Sequence, residues 1–300
     1  MRASPRPALE FIATYWTLAG NVVPLGPPDQ EASPHDFAER AAVAAALGYR
    51  GLGLMHSDLV RVRDRVGYPR MRKLLESQSL SLELEFLLGW LAHGDELAAA
   101  EATFTDLLVA AAELGAKRIK VGGDMQAKAW PLPHMCERFS QLCRRAAVSG
   151  TAIVIEPMPW SNIADLTTAR ALIEGAGEAN GGLLIDIWHM ARGGIDYAEV
   201  AALPPGIIHH VELDDADREI RGTLIEDTLN HRRFCGLGVL DVPAFIRALD
   251  AQGYRGPYGI EILAEEQRQR PFQAVARDAI ETARAQFATV DQSPLLANRR

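Results

Sequence analysis

Cysteine is scarce in this sequence, with three residues among 300: Cys136, Cys143 and Cys235. An odd, sparse set without CxxC spacing does not fit a disulfide framework. Cys136 and Cys143 lie seven residues apart in one helical stretch, where packing is the simplest role, and no paired histidine marks Cys235 as a nucleophile. We therefore expect reduced thiols and a cytoplasmic protein.

Long apolar runs are missing too, and so is an excess of positive charge. No stretch approaches the roughly 20 apolar residues of a membrane helix, and the N-terminal Met1-Arg2-Ala3-Ser4-Pro5 segment lacks the apolar core of a secretory signal. The 31 Lys and Arg residues are outnumbered by 39 Asp and Glu residues, giving a net charge of −8. Because binding to phosphates needs clustered basic residues, we expect neither a nucleic acid nor a membrane as partner.

The sequence does contain a regular alternation of strand and helix patterns, eight of each. Such alternation predicts parallel strands, and eight units close most economically into a barrel. A doubly wound open sheet is the alternative, but no Gly-rich GxGxxG turn follows the first strand. We predict an α/β fold, a single (β/α)8 TIM barrel over residues 1–288, followed by a disordered C-terminal tail over residues 289–300.

Three segments of this pattern are less regular than the rest. Residues 59–78 contain a helix, and a final helix covers Phe272–Phe287. The segment Asp214–Asp241 is the longest connection, and it is polar and irregular. Loops of that length are usually functional, so we expect this one to lie near the active site.

Four predicted strands end in an acid, at Glu156, Asp186, Glu212 and Glu261, each directly after an apolar run. In a barrel the reacting groups lie at the C-terminal ends of the strands, so these acids should converge. For one such acid alone, a salt bridge or a helix N-cap is the simpler interpretation. Four together would repel one another without a cation. The oxygen-rich set predicts one divalent ion, Mn first, with Mg or Co as alternatives, rather than Zn.

The ligand from strand seven is open between two residues. His210 and Glu212 share a face because side chains alternate along a strand, whereas His209 should point toward the helices. Glu212 lies nearer the tip and is the preferred ligand, with His210 behind it.

These residues resemble the xylose-isomerase-like barrels, which include sugar and sugar-phosphate isomerases and epimerases. The resemblance rests on Glu156 in a Glu-Pro turn, Asp186 followed three residues on by His189, a strand-seven ligand followed six residues on by Arg218, and Glu261 at strand eight. The resemblance is clear in the second half of the sequence. Elsewhere it depends only on the number of predicted strands and helices.

The resemblance implies specific roles. The four strand-end acids would bind one divalent ion, commonly Mn: Glu156, Asp186, Glu212 and Glu261. Glu156 and Glu261 would also exchange protons with the substrate from opposite faces, and His189 and Arg218 would hold its oxygens. Since members of the family often pair, a homo-oligomer is a further expectation.

Two positions depart from the family's pattern. Glu212 stands where relatives usually carry His or Gln, which makes the site more anionic. Asn162 stands where the 3-epimerase branch places an acid, six residues after the first ligand. The branch, and with it the substrate, therefore stays open.

The chemistry follows from the ion. A metal that binds adjacent carbonyl and hydroxyl oxygens acidifies the C–H between them and stabilises the enediolate. Returning the proton elsewhere gives an isomerase or epimerase acting on a sugar or related polyol-ketone, which is the leading prediction. Losing a β-substituent instead gives a lyase, such as a dehydratase of a keto-cyclitol or dehydroshikimate-like acid, or an enzyme that eliminates from a keto-glycoside.

Two further classes were weighed against these. An endonuclease for abasic DNA shares the barrel ancestry but needs a His-rich multi-zinc cluster and a basic face, and this sequence has eight scattered histidines and a pI near 5.5. A barrel that only binds a ligand would not need all four acids. Both are disfavoured.

The five tryptophans fall at or just beyond predicted strand ends. Tryptophan usually packs in a core, but five on one rim indicate an apolar wall for a ring-shaped ligand. We expect Trp16 and Trp160 to contact the substrate. His56, after strand two, lies near the same rim.

Lys120 in strand four has two possible roles. It either binds a substrate oxygen or pairs with Glu83 or Glu85 inside the barrel. In the long connection, His231 and Arg233 either bind an anionic substrate and close over the pocket, or form a basic surface patch opposite an acidic run.

Overall fold

Eight parallel strands close into a barrel, which confirms the predicted fold class. The computed structural model describes residues 8–292. Closure requires the first strand to pair on both sides, and Ile12 lies opposite both Gly51 and Gly259. The barrel strands are Phe11–Ala13 (β1), Gly51–Met55 (β2), Ser81–Leu87 (β3), Arg118–Gly122 (β4), Ala152–Glu156 (β5), Gly181–Asp186 (β6), Ile208–Leu213 (β7) and Tyr258–Ile260 (β10).

Helices cover the outside of the barrel, and two short strands form a separate antiparallel pair. These strands are Asp215–Ala216 (β8) and Arg232–Arg233 (β9). The helices of the first half are Tyr15–Ala19 (α1), Pro28–Glu31 (α2), Phe37–Leu47 (α3), His56–Val66 (α4), Tyr68–Gln78 (α5), Gly94–Leu114 (α6) and Leu132–Ala147 (α7). Those of the second half are Leu166–Ala176 (α8), Ile187–Arg192 (α9), Tyr197–Ala201 (α10), Leu224–Asn230 (α11), Val242–Gln252 (α12), Glu265–Arg268 (α13) and Phe272–Gln292 (α14).

The register of the strands brings their C-terminal tips to one level. Asp186 in β6 lies opposite Glu212 in β7, and Glu212 lies opposite Gly259 in β10. On the other side, Glu156 at the end of β5 lies opposite Gly122 in β4. These strands are buried on both faces, which is why their sequences are continuous aliphatic runs rather than alternating ones. The strand-end acids therefore meet at one mouth of the barrel.

The segment predicted to contain one helix over residues 59–78 holds two helices. Gly67 separates α4 from α5 with a φ of 75°, a conformation that glycine adopts at little cost. The last helix, α14, runs on to Gln292, so the first four residues of the predicted tail are helical. The remaining tail residues, 293–300, lie outside the described residues.

The long connection after β7 is ordered by one buried carboxylate. Asp215 accepts hydrogen bonds from the backbone N–H groups of Gly236, Gly238 and Leu240, each at 2.9 Å. Gly238 is needed for this close approach, because a Cβ there would lie 2.2 Å from the carbonyl oxygen of Ala216. The loop is thereby folded back over the barrel mouth.

Candidate active site and metal centre

The strand-end acids form one buried cluster at the barrel mouth. Carboxylate oxygens of Asp186, Glu212 and Glu261 lie within 4.8 Å of one another, and ligand atoms of Glu156, Asp186 and His189 form a second, overlapping group of the same size. All of these side chains are buried. The four acids named from the sequence thus lie at one mouth in two groups that share Asp186, and their role as ligands of a single ion stays a prediction.

The structure separates the two candidates of strand seven. Glu212 lines the pocket with the other acids. His210 lies deeper in the barrel, where its Nε2 is 3.1 Å from Oε2 of Glu83. The preferred candidate, Glu212, thus belongs to the cluster, and His210 packs behind it.

The pairing of Asp186 and His189 has a local structural cause. Asp186 is the N-cap of α9, and its Oδ1 accepts a hydrogen bond from the backbone N–H of His189 at 3.1 Å. A cap three residues before the bonded N–H is the usual geometry of a helix start. The first turn of α9 then presents the His189 ring to the pocket, with Nε2 3.2 Å from Oε1 of Glu156.

Arg232 provides a cation inside the acid cluster. Its Nη1 donates to Oδ2 of Asp186 at 2.6 Å, lies 3.1 Å from Oε2 of Glu261 and contacts Asp214. Its Nη2 donates to Oγ1 of Thr228 at 2.9 Å. The side chain is 1% exposed, so these contacts take place with almost no solvent.

Lys120 provides a second buried cation. Its Nζ donates to Oε1 of Glu85 at 2.9 Å and to Oε1 of Glu212 at 2.5 Å. Of the two roles open from the sequence, the structure shows the pairing with Glu85. It adds Glu212 as a partner that the sequence did not suggest, and it also places Lys120 in the pocket lining.

Negative charge nevertheless exceeds positive charge around the mouth. Two basic side chains, Lys120 and Arg232, lie within ion-pair distance of the buried acids that the structure describes there. Those acids number six: Glu85, Glu156, Asp186, Glu212, Asp214 and Glu261. Burying like charges is costly unless they are neutralised. The site therefore favours an additional cation or the uptake of protons.

The pKa values of the acids follow from this imbalance. Burial raises the pKa of Glu261 to about 8, with Arg232 opposing the shift and Glu156 adding to it. Burial and the neighbouring Glu261 raise the pKa of Glu212 well above its usual range despite Lys120. Burial acts on Asp186 as well, but Arg232 and His189 outweigh it, so the pKa of this carboxyl is lowered.

The donor set fits a divalent ion. Oε1 of Glu156 and Nδ1 of His189 are buried without a hydrogen-bond partner, although His189 Nε2 lies close to that Glu156 oxygen. Carboxylate oxygens with one imidazole are a combination that Mn, Co and Zn all accept. The residues would thus hold an ion, and they do not by themselves select the one expected from the sequence.

The wall across from the acids is largely apolar, and two of the five tryptophans belong to it. Trp16 and Trp160 line the pocket, and Trp160 also makes an edge contact with His189. The other three have different roles. Trp90 is buried and donates to the Gly122 carbonyl, Trp130 donates to Asp124, and Trp188 packs beneath Arg232.

Four predicted substrate-binding residues do not line this pocket. Arg218 is exposed, and its carbonyl accepts from Arg192. His56 pairs with Asp106 in an adjacent groove.

His231 and Arg233 line a separate cleft on the far side of Arg232. Arg233 forms an ion pair there with Asp217, 2.9 Å away. Of the two arrangements that the sequence left open for His231 and Arg233, the structure contains the charged surface patch.

Sequence reasoning missed Arg232, the residue that takes the position expected of Arg218. Arg232 stands between two residues that were singled out, His231 and Arg233, and it points inward because β9 turns it toward the mouth. Alternation along Arg232–Arg233 was the available signal. That alternation could be applied only if Arg232–Arg233 were already known to form a strand.

The fold agrees with what known proteins show. The family model described as xylose isomerase-like TIM barrel matches residues 41–286, so the chain belongs to that family. A curated 3-dehydroshikimate dehydratase from Pseudomonas aeruginosa is 31% identical over 255 residues, which is 81% of this chain and 38% of the relative. The chain thus spans well under half the length of that relative.

Solved structures agree on the fold. A xylose isomerase-like TIM barrel/4-hydroxyphenylpyruvate dioxygenase fusion protein superposes with a TM-score of 0.82 at 20% identity, over 97% of this chain and 45% of that one. The IOLI protein, solved with a binding zinc atom, gives 0.77 at 16% identity, over 95% and 99% of the two chains. At these identities the likenesses show the fold alone. Within residues 8–292, no helix has the length and apolar character to cross a membrane.

Proposed function

We propose that this protein is a divalent-metal-dependent lyase that removes a proton next to the carbonyl of a small hydroxy-ketone ring and eliminates a β-substituent, typically water. The ion would be held by Glu156, Asp186, Glu212 and Glu261, with His189 beside them. When bound, it would polarise the substrate carbonyl and acidify the adjacent C–H. Mn remains the expected ion, and the zinc atom of the related IOLI structure makes Zn the alternative to test.

Glu156 is assigned the role of base. It is the one cluster carboxylate that has no Lys or Arg within ion-pair distance among residues 8–292, so its charge is the least compensated. It also has a buried oxygen without a hydrogen-bond partner. A carboxylate oxygen without a fixed partner is available to a substrate proton, as a general base must be.

Glu261 is assigned the return of the proton. Strands β6 and β7 separate it from Glu156 in the barrel, so the two carboxyls flank a bound substrate from different sides. Its pKa, raised to about 8 by burial, suits a group that donates a proton near neutral pH. A cation bound beside it would lower that pKa, which makes proton exchange in both directions feasible.

Arg232 and His189 are assigned to the substrate oxygens. Arg232 lines the pocket and carries a fixed charge beside Asp186 and Glu261, where it can orient an oxygen or a carboxylate of the substrate. His189 presents its Nε2 next to this guanidinium, 3.4 Å from Nη2 of Arg232 and 3.2 Å from Oε1 of Glu156. Arg232 thus takes over the role expected of Arg218.

The observation that carries elimination rather than isomerisation is the distribution of polar groups in the pocket. Apart from the acids and their partners the pocket lining is largely apolar, and it includes Trp16, Met125, Met158, Trp160 and Leu263. An open-chain sugar carries a hydroxyl on nearly every carbon, and each buried one needs a partner. A carbocyclic hydroxy-ketone needs fewer, and its ring can stack on tryptophan. The dehydratase relative supports the same choice.

Isomerisation or epimerisation of a sugar remains the second candidate. The family itself and the two separated carboxyls, Glu156 and Glu261, favour it, because proton transfer on two faces inverts or moves a stereocentre. The same base serves both outcomes, so only the product distinguishes them.

The test is a product analysis in D2O with purified protein and added Mn2+ or Zn2+. The substrates are 3-dehydroshikimate, as a carbocyclic hydroxy-ketone, and D-fructose, as a sugar. Elimination predicts a product lighter by one water from the ring substrate, seen by mass spectrometry, and no change in fructose. Deuterium incorporation into a product of otherwise unchanged composition would support the isomerase instead. Absence of both reactions with either ion would overturn the proposal.

A further inference from the structure

A second cavity opens beside the acid pocket. It lies between the ends of β2 and β3 and helix α6, and its volume is about 570 Å³, against about 70 Å³ for the acid pocket. Three residues line both cavities: Met55, Phe86 and Leu88. The adjoining groove is therefore the larger of the two spaces.

The walls of the two cavities meet above Gly122. A Cβ at that position would lie 2.6 Å from Cε1 of Phe86, 2.7 Å from Cε of Met158 and 2.9 Å from Cδ2 of Leu88. Met158 belongs to the acid pocket, whereas Phe86 and Leu88 belong to both. Three apolar side chains thus converge on one glycine and make a continuous apolar surface from the metal site into the groove.

The chemistry of the groove restricts what it can hold. Its walls include Met55, Val60, Phe86, Leu88 and Ala100, which are apolar. None of the lining residues that the structure describes is Lys or Arg, so a phosphate or a nucleotide has no counter-charge there.

Glu31, His56 and Glu96 are the ionisable groups among the described lining residues; Glu96 is exposed to solvent, and the other two are already engaged. Glu31 accepts from the Ser57 hydroxyl at 2.7 Å and from the Leu25 N–H at 3.2 Å, and His56 pairs with Asp106. A polyhydroxylated extension such as a second sugar would find few free partners. A flat apolar group, in contrast, gains contacts with a phenylalanine ring and a methionine sulfur.

We infer that the groove is a substrate subsite for an aryl substituent, so that the natural substrate is a hydroxy-ketone ring bearing an aromatic group. The inference rests on the proposed function in one respect, because it places the ring of that substrate in the acid pocket. The aromatic group then lies along α6, in contact with Phe86 and Leu88 and bordered by Ala99.

Calorimetric binding of two hydroxy-ketones tests this directly, with the protein in excess Mn2+. The probes are 2-hydroxy-5-phenylcyclohexan-1-one and 2-hydroxycyclohexan-1-one, which share the hydroxy-ketone ring and differ in the aryl group. Burial of a phenyl face in the groove should make the aryl probe bind at least about tenfold tighter.

A matched pair of variants on α6 places the effect in the groove. Ala99 lines it and is exposed, whereas Ala98 is exposed on the same helix and does not line it. Ala99→Trp should fill the groove and abolish the preference for the aryl probe, and Ala98→Trp should retain the preference. Equal binding of both probes to the unaltered protein, or an unchanged preference in Ala99→Trp, would refute the subsite.

Three further outcomes separate the subsite from the proposed lyase activity and from an interface between two copies. An aryl preference without turnover of any hydroxy-ketone would leave the groove in place and remove the proposed lyase activity. Turnover of a hydroxy-ketone without an aryl preference would support the lyase activity and refute the subsite. If Ala99→Trp instead converted a dimer to a monomer on size-exclusion chromatography, the groove would be an interface between two copies and the subsite assignment would be wrong.

Discussion

Replacing Arg232 by methionine should destabilise the metal-free protein strongly. Arg232 is 1% exposed and is the nearest cation to Asp186 and Asp214, with Glu261 3.1 Å away. Methionine keeps most of the side-chain volume but leaves these three carboxyls without their guanidinium. Removing one partner of a buried ion pair costs about 3–5 kcal/mol.

That cost converts into a large change of melting temperature. Each kcal/mol shifts the Tm of a domain of this size by roughly 2–4 °C, so we expect Arg232→Met to lower the Tm by roughly 6–20 °C in EDTA. The measurement is a thermal denaturation followed by circular dichroism. Arg233→Met is the matched control, since Arg233 is 33% exposed and pairs with Asp217 at the surface. Such a pair contributes about 0–1 kcal/mol, so the control should stay near the unaltered protein.

Added Mn2+ should reverse the loss in Arg232→Met. An ion that binds only the folded state stabilises it by about 2.7 kcal/mol at a hundredfold excess over its Kd. In the variant, the ion no longer shares Asp186 and Glu261 with a guanidinium, so it should bind more tightly and raise the Tm by more than in the unaltered protein. An equal or smaller Mn2+ shift in the variant would refute a shared site for the ion and Arg232. If Arg232→Met does not fold, Arg232→Lys retains the charge and should show an intermediate Tm.

Three further predictions concern individual residues. Glu156→Gln should lower kcat by at least about a thousandfold, since it removes the base, while the circular dichroism spectrum is unchanged; full activity would exclude the role. Arg218→Ala should leave kcat/KM within about twofold, because the side chain is exposed, and a tenfold loss, equal to about 1.4 kcal/mol, would show that it reaches the substrate. Glu261→Gln should flatten the pH dependence of stability in EDTA. Because the pKa of Glu261 rises from 4.5 to about 8 on folding, the stability it contributes is complete below pH 4.5 and is lost as the pH rises through 8. Urea unfolding at several pH values measures this, and an unchanged slope in the variant would contradict it.

The convergence of the acids could be predicted because it depends on two local patterns. Continuous aliphatic runs such as Ile153–Ile155 and Leu183–Ile185 indicate strands that are buried on both faces, and their alternation with helices makes them parallel. Parallel strands in a closed barrel put every C-terminal tip at the same mouth. Glu156 and Asp186 then meet without any further information.

The sequence did not allow us to predict in the same way that Arg232, rather than Arg218, lies beside the acids. Spacing along the chain pointed to Arg218, but the loop that carries both candidates is shaped by contacts distant in sequence. Asp215 binds the N–H groups of Gly236 and Gly238, which are more than twenty residues away, and this places β9 beside β8. Arg232 therefore faces the acids and Arg218 faces solvent, a distinction that residue spacing does not contain.

The tryptophans show the same limit at the level of single side chains. Their common position near strand ends was visible in the sequence, but whether an indole lines the pocket or packs beneath it depends on its direction. Trp188 follows Asp186 by two residues in the first turn of α9, so it turns under Arg232. Trp160 lies on the loop after β5 and reaches the pocket. Both tryptophans lie near the rim of the barrel, and only Trp160 lines the interior of the pocket.

The two internal cations explain why the roles of the four acids differ. Lys120 pairs with Glu212, and Arg232 pairs with Asp186 and Glu261, which leaves Glu156 with only a histidine beside it in the described chain. An ion that enters the cluster must compete with these cations for three carboxyls, while Glu156 offers it an uncompensated charge. The proposed role of Glu156 as the base rests on the same lack of a fixed partner. The proposal thus depends on the asymmetry of the cations rather than on the symmetry of the strand tips.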